Sequence, residues 1–107
     1  MSIVITFNEA LERATEFVKN INNTYDIVSC VELDDAYVFT CMAESSEEEF
    51  KERQYGIEKI NNKYYAVIHG GSSIEVSKAT GKTTYFILPD KNNFERLKTG
   101  RTINLFQ

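Results

Sequence analysis

Two short motifs in this sequence have residue types that enzymes use. Gly81-Lys82-Thr83 matches the end of a phosphate-binding loop, but the full pattern needs a glycine where this chain has Val76, and a helix after the motif. His69-Gly70-Gly71 has the composition of the oxyanion-hole loop of esterases, whose Gly-x-Ser-x-Gly nucleophile elbow does not occur in this chain. The two motifs therefore predict a turn and a strand end, not a catalytic site.

The thiols, the single histidine and the paired carboxylates do not combine into a recognisable centre either. A Cys–His pair needs a third group to orient the imidazole, and a structural zinc site needs four ligands, whereas this chain has two cysteines and one histidine. Catalytic carboxylates need different environments, but Asp34-Asp35 and Glu47-Glu48-Glu49 lie in hydrophilic runs. We expect no catalytic residue, no cofactor and no metal, and hence not an enzyme.

Cys30 and Cys41 lie on either side of a predicted hairpin turn, so their pairing depends on its register. If Asp35-Ala36 form the tip, the two cysteines face each other within about 5 Å, which is disulfide range. If the tip is Asp34-Asp35, they slip out of register. No secretion signal precedes them, which favours reduced thiols and a cytoplasmic location.

The elements that would position these residues begin with a helix over 7–20. Thr6-Phe7-Asn8-Glu9 has the form of a capping box, and apolar residues then recur with the helical period. Pro89-Asp90 predicts the start of a second, short helix over 92–98, ended by Gly100. The apolar positions of the first helix are Ala10, Leu11, Ala14, Phe17, Val18 and Ile21.

Between the helices lie segments rich in β-branched and aromatic residues, which predict strands. Turns rather than crossover helices connect them, which favours antiparallel pairing. We therefore expect one domain over 1–107 of class α+β, with the N-terminal helix packed on a mostly antiparallel sheet of about five strands. The tail, 102–106, is apolar enough to dock. The predicted strands are 25–33, 36–43, 63–69, 74–78 and 83–88.

The charge is unevenly distributed along the chain. Residues 1–54 carry twelve carboxylates and four basic side chains in a chain of net charge −4. An acidic chain is repelled by phosphate backbones, so we expect no nucleic-acid binding, and no apolar run is long enough to cross a membrane. The acidity either favours a basic protein partner or only keeps the domain soluble.

The densest acidic segment is Glu44–Arg53, which the sequence leaves open as a loop or as a short helix capped by Ser46. Long connections in compact domains are often functional, and carboxylates around an aromatic residue suit a basic partner. The alternative is a solvated segment with Phe50 folded back on the core. The predicted partner-binding residues are Glu44, Glu47, Glu48, Glu49, Phe50 and Glu52.

The segment from His69 to Lys82 resembles a block found in small bacterial immunity domains, of the immunity protein 35 (YrhB-like) family and of the NTF2-fold immunity type. Val76, Lys78 and the Thr80-Gly81 corner fit this block, whereas Ser77 stands where an Asp is common. The resemblance implies a cytoplasmic antidote, without catalytic residues, that binds a cognate toxin stoichiometrically. Its partner would be a protein such as a basic toxin domain, and its oligomeric state stays open. The alternatives are a small regulatory or scaffold domain that binds a peptide or subunit, and a small cavity-containing ligand-binding protein.

Overall fold

The structure, a computed structural model, describes residues 4–52, 56–68, 73–87 and 90–105. It confirms an α+β fold with an antiparallel sheet, which has seven strands within these residues rather than about five. The elements are α1 (Phe7–Ile21), β1 (Tyr25–Glu32), β2 (Ala36–Ser45), α2 (Glu47–Glu52), β3 (Ile57–Ile60), β4 (Lys63–Ala66), β5 (Ser73–Ser77), β6 (Thr83–Tyr85), α3 (Lys91–Lys98) and β7 (Arg101–Ile103).

Strand β2 is the centre of the sheet, and its two halves have different neighbours. β1 pairs with one edge of β2 along most of its length, and β7 continues the sheet beyond β1. On the other edge, β5 pairs with Ala36–Thr40 and β4 pairs with Ala43–Ser45. β6 extends the first branch and β3 extends the second. The sheet therefore divides into a β5–β6 branch and a β4–β3 branch.

Helix α1 covers one face of this sheet and forms the main core. Thr6 caps it, since the Glu9 amide donates to the Thr6 hydroxyl at 3.2 Å, as the capping box predicts. Its side chains at every fourth position, Ala10, Ala14 and Val18, are fully buried. Two small alanines let the helix approach the sheet closely, so that larger side chains of the strands fill the space between. The strand residues buried against them are Cys30, Tyr37, Phe39, Cys41, Ile74 and Val76.

The other face of the sheet carries a smaller cluster of Leu33, Val38 and Phe86, to which α3 contributes Leu97. Asp90 caps this helix as expected, since its carboxylate accepts from the amides of the next turn. Ionic contacts hold α3 in place, because Arg96 pairs with Glu75 at 2.7 Å and with Asp35 at 3.1 Å and lies over the Phe86 ring.

The residue that follows α3 has a different role from the one expected. Gly100 was predicted to end the helix, as glycine commonly does in a left-handed conformation, but its φ lies outside that region. A Cβ at this position would lie 2.3 Å from Val31 Cγ1 and 2.9 Å from Leu33 Cδ2. Glycine is required here because the backbone passes directly over β1. The left-handed glycine that the turn motif predicts is Gly81, with φ of +73°.

The register of the β1–β2 hairpin excludes a disulfide between Cys30 and Cys41. The tip is Asp34-Asp35, closed by a hydrogen bond from the Leu33 amide to the Ala36 carbonyl. Cys30 therefore lies opposite Phe39, and beyond a bulge near Val28, Cys41 lies opposite Ile27. Both thiols are free and buried. Burial raises the pKa of Cys30 to about 12, helped by the charge of Glu32, and raises the pKa of Cys41, so neither is a ready nucleophile.

The sequence missed two strands, β3 and β7. Each is short, at four and three residues, and gains its apolar contacts only once neighbouring strands are in place. Several predictions lie outside the described residues: His69-Gly70-Gly71, Arg53, the strand ends at 69 and 88, and the tail residue 106.

Candidate functional site

The acidic segment after β2 is a short helix, α2, which decides between the two structures that the sequence left open. Ser46 caps it, since its hydroxyl accepts from the Glu49 amide at 3.1 Å. The Ser45 hydroxyl donates to the Glu49 carboxylate at 2.8 Å. Glutamates in the first turn also suit the positive end of the helix dipole. The acidic side chains are therefore presented on a regular scaffold.

No residue of α2 is buried, so its contact with the rest of the molecule depends on one aromatic side chain. The Phe50 ring packs against the Tyr64 ring with centroids 4.8 Å apart, and Phe50 remains 40% exposed. The ammonium of Lys59 also contacts the Tyr64 ring, 5.7 Å from its centre. Phe50 is thus neither free in solvent nor folded into the core: it rests on the β3–β4 hairpin with part of its ring open.

We call the group Glu47, Glu48, Glu49, Phe50, Glu52 and Tyr64 the acidic–aromatic surface. Five of its six members are residues that the sequence predicted for partner binding. The sixth predicted residue, Glu44, is placed differently. Ser45 lies opposite Tyr64 and Glu44 lies opposite Tyr65, and successive residues of a strand point to opposite faces. Glu44 is therefore on the face of the sheet away from the Phe50–Tyr64 pair.

The charges on this surface are only partly neutralised within the molecule. Lys51 pairs with Glu47 at 3.6 Å, and both side chains are more than 60% exposed, so solvent screens the pair and it contributes little. Glu48 and Glu52 are exposed and stand one helical turn apart. The surface therefore combines carboxylates open to solvent with a half-exposed aromatic ring, which can accept a basic side chain and pack against its aliphatic part.

The sequence did not indicate that Tyr64 belongs to this surface. It also missed strand β3, which pairs with the strand of Tyr64, β4. The available signal was Asn61-Asn62, which forms the two-residue turn between β3 and β4 with both φ angles positive, at +50° and +67°. Asn is the residue other than glycine that best tolerates this conformation, so the pair between Ile60 and Lys63 was readable as a hairpin turn.

A partly buried polar cluster connects the β3–β4 hairpin to the main core. Tyr65 donates to Asp26 at 3.0 Å, and Lys19 of α1 donates to the same carboxylate at 2.7 Å. Burial raises the pKa of Asp26, but these two hydrogen bonds, together with the charges of Lys19 and Lys63, outweigh burial and hold the pKa below its ordinary value. Burial and the Asp26 carboxylate together raise the pKa of Tyr65 to about 12. The cluster fixes β1, β4 and the end of α1 relative to one another.

The other residues singled out for chemistry have structural places. Gly81 and Lys82 belong to the connection between β5 and β6, and Thr83 is the first residue of β6, so a strand and not a helix follows the glycine. Asp35, one of the paired carboxylates, holds Arg96 of α3. Within the described part of the chain, no three His, Cys, Asp or Glu side chains are grouped to hold a metal ion. In the same residues, no helix combines the length and apolar character that crossing a bilayer requires.

Comparisons with protein-family models, with curated protein sequences and with solved structures return no match for this chain. The acidic–aromatic surface is therefore the feature of the molecule that bears most directly on its function.

Proposed function

We propose that this chain is a protein-binding module of the bacterial immunity type, which acts in the cytoplasm and neutralises a cognate toxin by stoichiometric binding. The observation that supports this most directly is helix α2, which presents its carboxylates to solvent around the half-exposed Phe50. Its partner would be a protein with a basic surface, such as the active site of a toxin that acts on nucleic acid.

The two components of the surface would contribute to different stages of binding. Exposed carboxylates attract a basic partner over a distance and raise the association rate, an effect that salt screens. An aromatic ring that becomes fully buried stabilises the final complex and lowers the dissociation rate. Phe50 suits the second role because Tyr64 already holds its ring in place, so little side-chain freedom is left to lose on binding.

The first experiment asks whether a toxin exists. The chain is co-expressed with the protein encoded by the adjacent reading frame, and growth and co-purification are measured. We expect the neighbour alone to arrest growth, and this chain to restore growth and co-purify with it at a fixed ratio. A neighbour that is harmless, or toxic but not rescued, contradicts the immunity function. Co-purification without toxicity supports the alternative, a regulatory or scaffold domain that binds another subunit.

The second experiment locates the interface with two variants of equal charge change. Glu48→Lys with Glu52→Lys reverses two carboxylates spaced one turn apart on α2, and Glu12→Lys with Glu16→Lys does the same on the exposed side of α1. Against the purified neighbour, we expect only the α2 variant to slow association at low salt, about tenfold, with the rates converging at high salt. Equal effects of the two variants would contradict a role for α2.

The contribution of Phe50 is tested separately. Phe50→Ala should leave the association rate nearly unchanged and raise the dissociation rate at least tenfold at any salt concentration, which corresponds to about 1.4 kcal/mol of binding energy. An unchanged dissociation rate would contradict the role of Phe50 as an apolar anchor.

A further inference from the structure

A row of apolar side chains, three of them exposed, lies along α1 and β6, away from the acidic–aromatic surface. The Phe17 and Tyr85 rings meet edge to face with centroids 5.4 Å apart. Tyr85 is 56% exposed, Ile21 is 47% exposed and Ile87 is 61% exposed. We call these four residues the α1–β6 ridge.

The spacing of the two helix residues matches the spacing of the two residues on and after β6. The guanidinium of Arg13 lies beside Gly81, and four residues further along each element Phe17 lies beside Tyr85, so helix and strand run in the same direction. The next helical turn advances about 6 Å. The two residues after β6, of which Phe86 still bonds to Ser73 of β5 through its amide, advance about 6.7 Å in an extended chain. The two exposed isoleucines therefore continue the ridge beyond the aromatic pair.

Beside this ridge, β6 presents a free edge. The amide of Phe86 and the carbonyl of Lys82 both bond to β5, so Thr84 between them also faces β5. By the alternation of antiparallel pairing, Thr83 and Tyr85 direct their amides and carbonyls outward. No strand in the described part of the chain pairs with this edge. Such an edge is a template for another strand.

The edge is complementary to itself. Two copies of β6 related by a two-fold axis perpendicular to the sheet run antiparallel, with Thr84 opposite Thr84 of the second copy. Thr83 then exchanges two hydrogen bonds with Tyr85 of the second copy, and Tyr85 does the same with Thr83. This register satisfies all four outward-facing groups of each copy, and it places a threonine pair, which is favourable across strands, at the centre.

Neighbouring registers are less favourable because their backbone groups are already engaged. Placing Tyr85 opposite itself would require the carbonyl of Ile87, which accepts from the Asn93 side chain at 3.0 Å. Placing Thr83 opposite itself would require the amide of Gly81, which donates to the Ser77 carbonyl at 2.8 Å. The register centred on Thr84 avoids both of these engaged groups.

The free edge of β3 shows the opposite property. The Gly56 carbonyl accepts from Val67 of the β4 side, so Ile57 and Lys59 direct their backbone groups outward. Self-pairing through these residues places Glu58 opposite Glu58 of the second copy, and the next register places Lys59 opposite Lys59. Like charges directly opposite are destabilising. Charge protects the β3 edge against self-pairing, whereas Thr83–Tyr85 carries no charged side chain.

We propose that this chain self-associates as a two-fold dimer through β6, with the exposed Tyr85 side chains of the two copies as diagonal neighbours on one face of the joined sheet. A three-residue edge and one exposed aromatic ring per copy bury less than a standard interface of roughly 1,200–2,000 Å², so the dimer is weak. A second copy is a fitting occupant because its β6 satisfies every outward-facing backbone group of Thr83 and Tyr85 and brings a second Tyr85 ring to the first.

The test is sedimentation velocity of the full chain from roughly 10 μM to 1 mM, the range suited to a small interface. We expect wild type to shift from monomer to dimer across this range. Thr84→Lys places two ammonium groups opposite each other and should weaken association at least tenfold, and Thr84→Glu should do the same with two carboxylates. An equimolar mixture of the two variants should restore the dimer, because an ammonium group on one copy would then face a carboxylate on the other.

Lys59→Glu, on the protected edge, is the control and should leave dimerisation unchanged. Circular dichroism of each variant verifies that it is folded, and Thr84→Lys carries the test if the carboxylate beside Glu75 prevents folding of Thr84→Glu. A wild type that stays monomeric up to the highest concentration overturns the proposal. A dimer that persists unchanged in folded Thr84→Lys also overturns it, because the contact must then lie elsewhere.

Discussion

The two halves of β2 differ in what covers them. Around Ala36–Thr40, helix α1 closes over the sheet, and Phe39 is fully buried between the helix and the β5–β6 branch. Around Ala43–Ser45, the chain continues into α2, none of whose residues is buried. Each region has a prominent phenylalanine: Phe39 of β2 lies inside the core, whereas Phe50 of α2 rests on the β3–β4 hairpin.

We call Ala36–Thr40 with α1 and the β5–β6 branch the α1 half, and Ala43–Ser45 with α2 and the β4–β3 branch the α2 half. The α1 half contains the fully buried side chains whose apolar surface drives folding, whereas the α2 half is where we propose that a partner binds. Helix α2 is attached to the rest of the molecule by the Phe50–Tyr64 ring contact and by few hydrogen bonds, such as that from Ser45 to Glu49, so its residues can change without loss of the fold. Residues on the exposed side of α2 can be substituted to fit a partner with little loss of folding free energy. The proposed binding site therefore lies on α2.

The largest expected effect tests this separation directly. Phe39→Ala should lower the free energy of unfolding by about 3–5 kcal/mol, because it leaves a cavity in a closed core. Phe50→Ala should lower it by less than about 1 kcal/mol, since the ring is already partly in water. Urea denaturation followed by circular dichroism measures both variants. Equal losses for the two would show that the α2 half belongs to the core.

The α1 half was also the more predictable from sequence. Helix α1 has a capping box and a regular apolar period, and the long strands β1 and β2 are rich in β-branched and aromatic residues, so local patterns sufficed. The register of the β1–β2 hairpin was not decided by such patterns, because Asp34-Asp35 and Asp35-Ala36 are both acceptable tips. The bulge near Val28 then changes the pairing again, and no local pattern in the sequence marks it.

In the α2 half, the sequence identified the acidic residues but not their support. Strand β3 has four residues, too few for a periodic signal, and its turn is Asn61-Asn62 rather than the usual Asn-Gly. Because this hairpin was not predicted, the contact between Tyr64 and Phe50 could not be predicted either. The face on which Glu44 lies depends on the pairing of β2 with β4, which no local pattern encodes.

An intermediate effect is expected at Asp26, where the two halves are joined. Asp26→Asn removes the ion pair with Lys19 and should cost about 1 kcal/mol at pH 7, toward the lower end for a charged hydrogen bond, because Lys19 is 37% exposed and solvent screens it. The folded-state pKa of Asp26 lies below its ordinary value of 3.8. Its stabilisation is therefore fully present above that value and is lost as the pH falls through the lowered pKa.

Urea midpoints of wild type and Asp26→Asn at pH 7 and pH 3 measure this dependence. The difference between the two proteins should shrink at the lower pH. Tyr65→Phe removes only the 3.0 Å hydrogen bond from the phenol and keeps the carboxylate and Lys19, so it should cost less than Asp26→Asn at pH 7 and retain the pH dependence that comes from the Lys19 ion pair. A difference that stays constant between pH 7 and pH 3 would contradict the assigned role of the Asp26 charge.

The smallest effect concerns the hairpin that supports the α2 half. Asn62 has φ of +67°, a conformation that glycine adopts without the steric cost of a Cβ. Asn62→Gly should therefore stabilise the protein by about 0.5 kcal/mol or less, because the gain in turn geometry is partly offset by the greater freedom of glycine in the unfolded chain. Asn62→Ala, which keeps the Cβ and lacks the polar side chain that eases this conformation, should destabilise it by about 1 kcal/mol.

Hydrogen exchange of the β3 and β4 amides measures both changes, and the amides of α1 should be protected equally in both variants. If both substitutions shift the hairpin in the same direction, or if α1 responds as strongly as the hairpin, the two halves of the molecule are more closely coupled than their packing indicates.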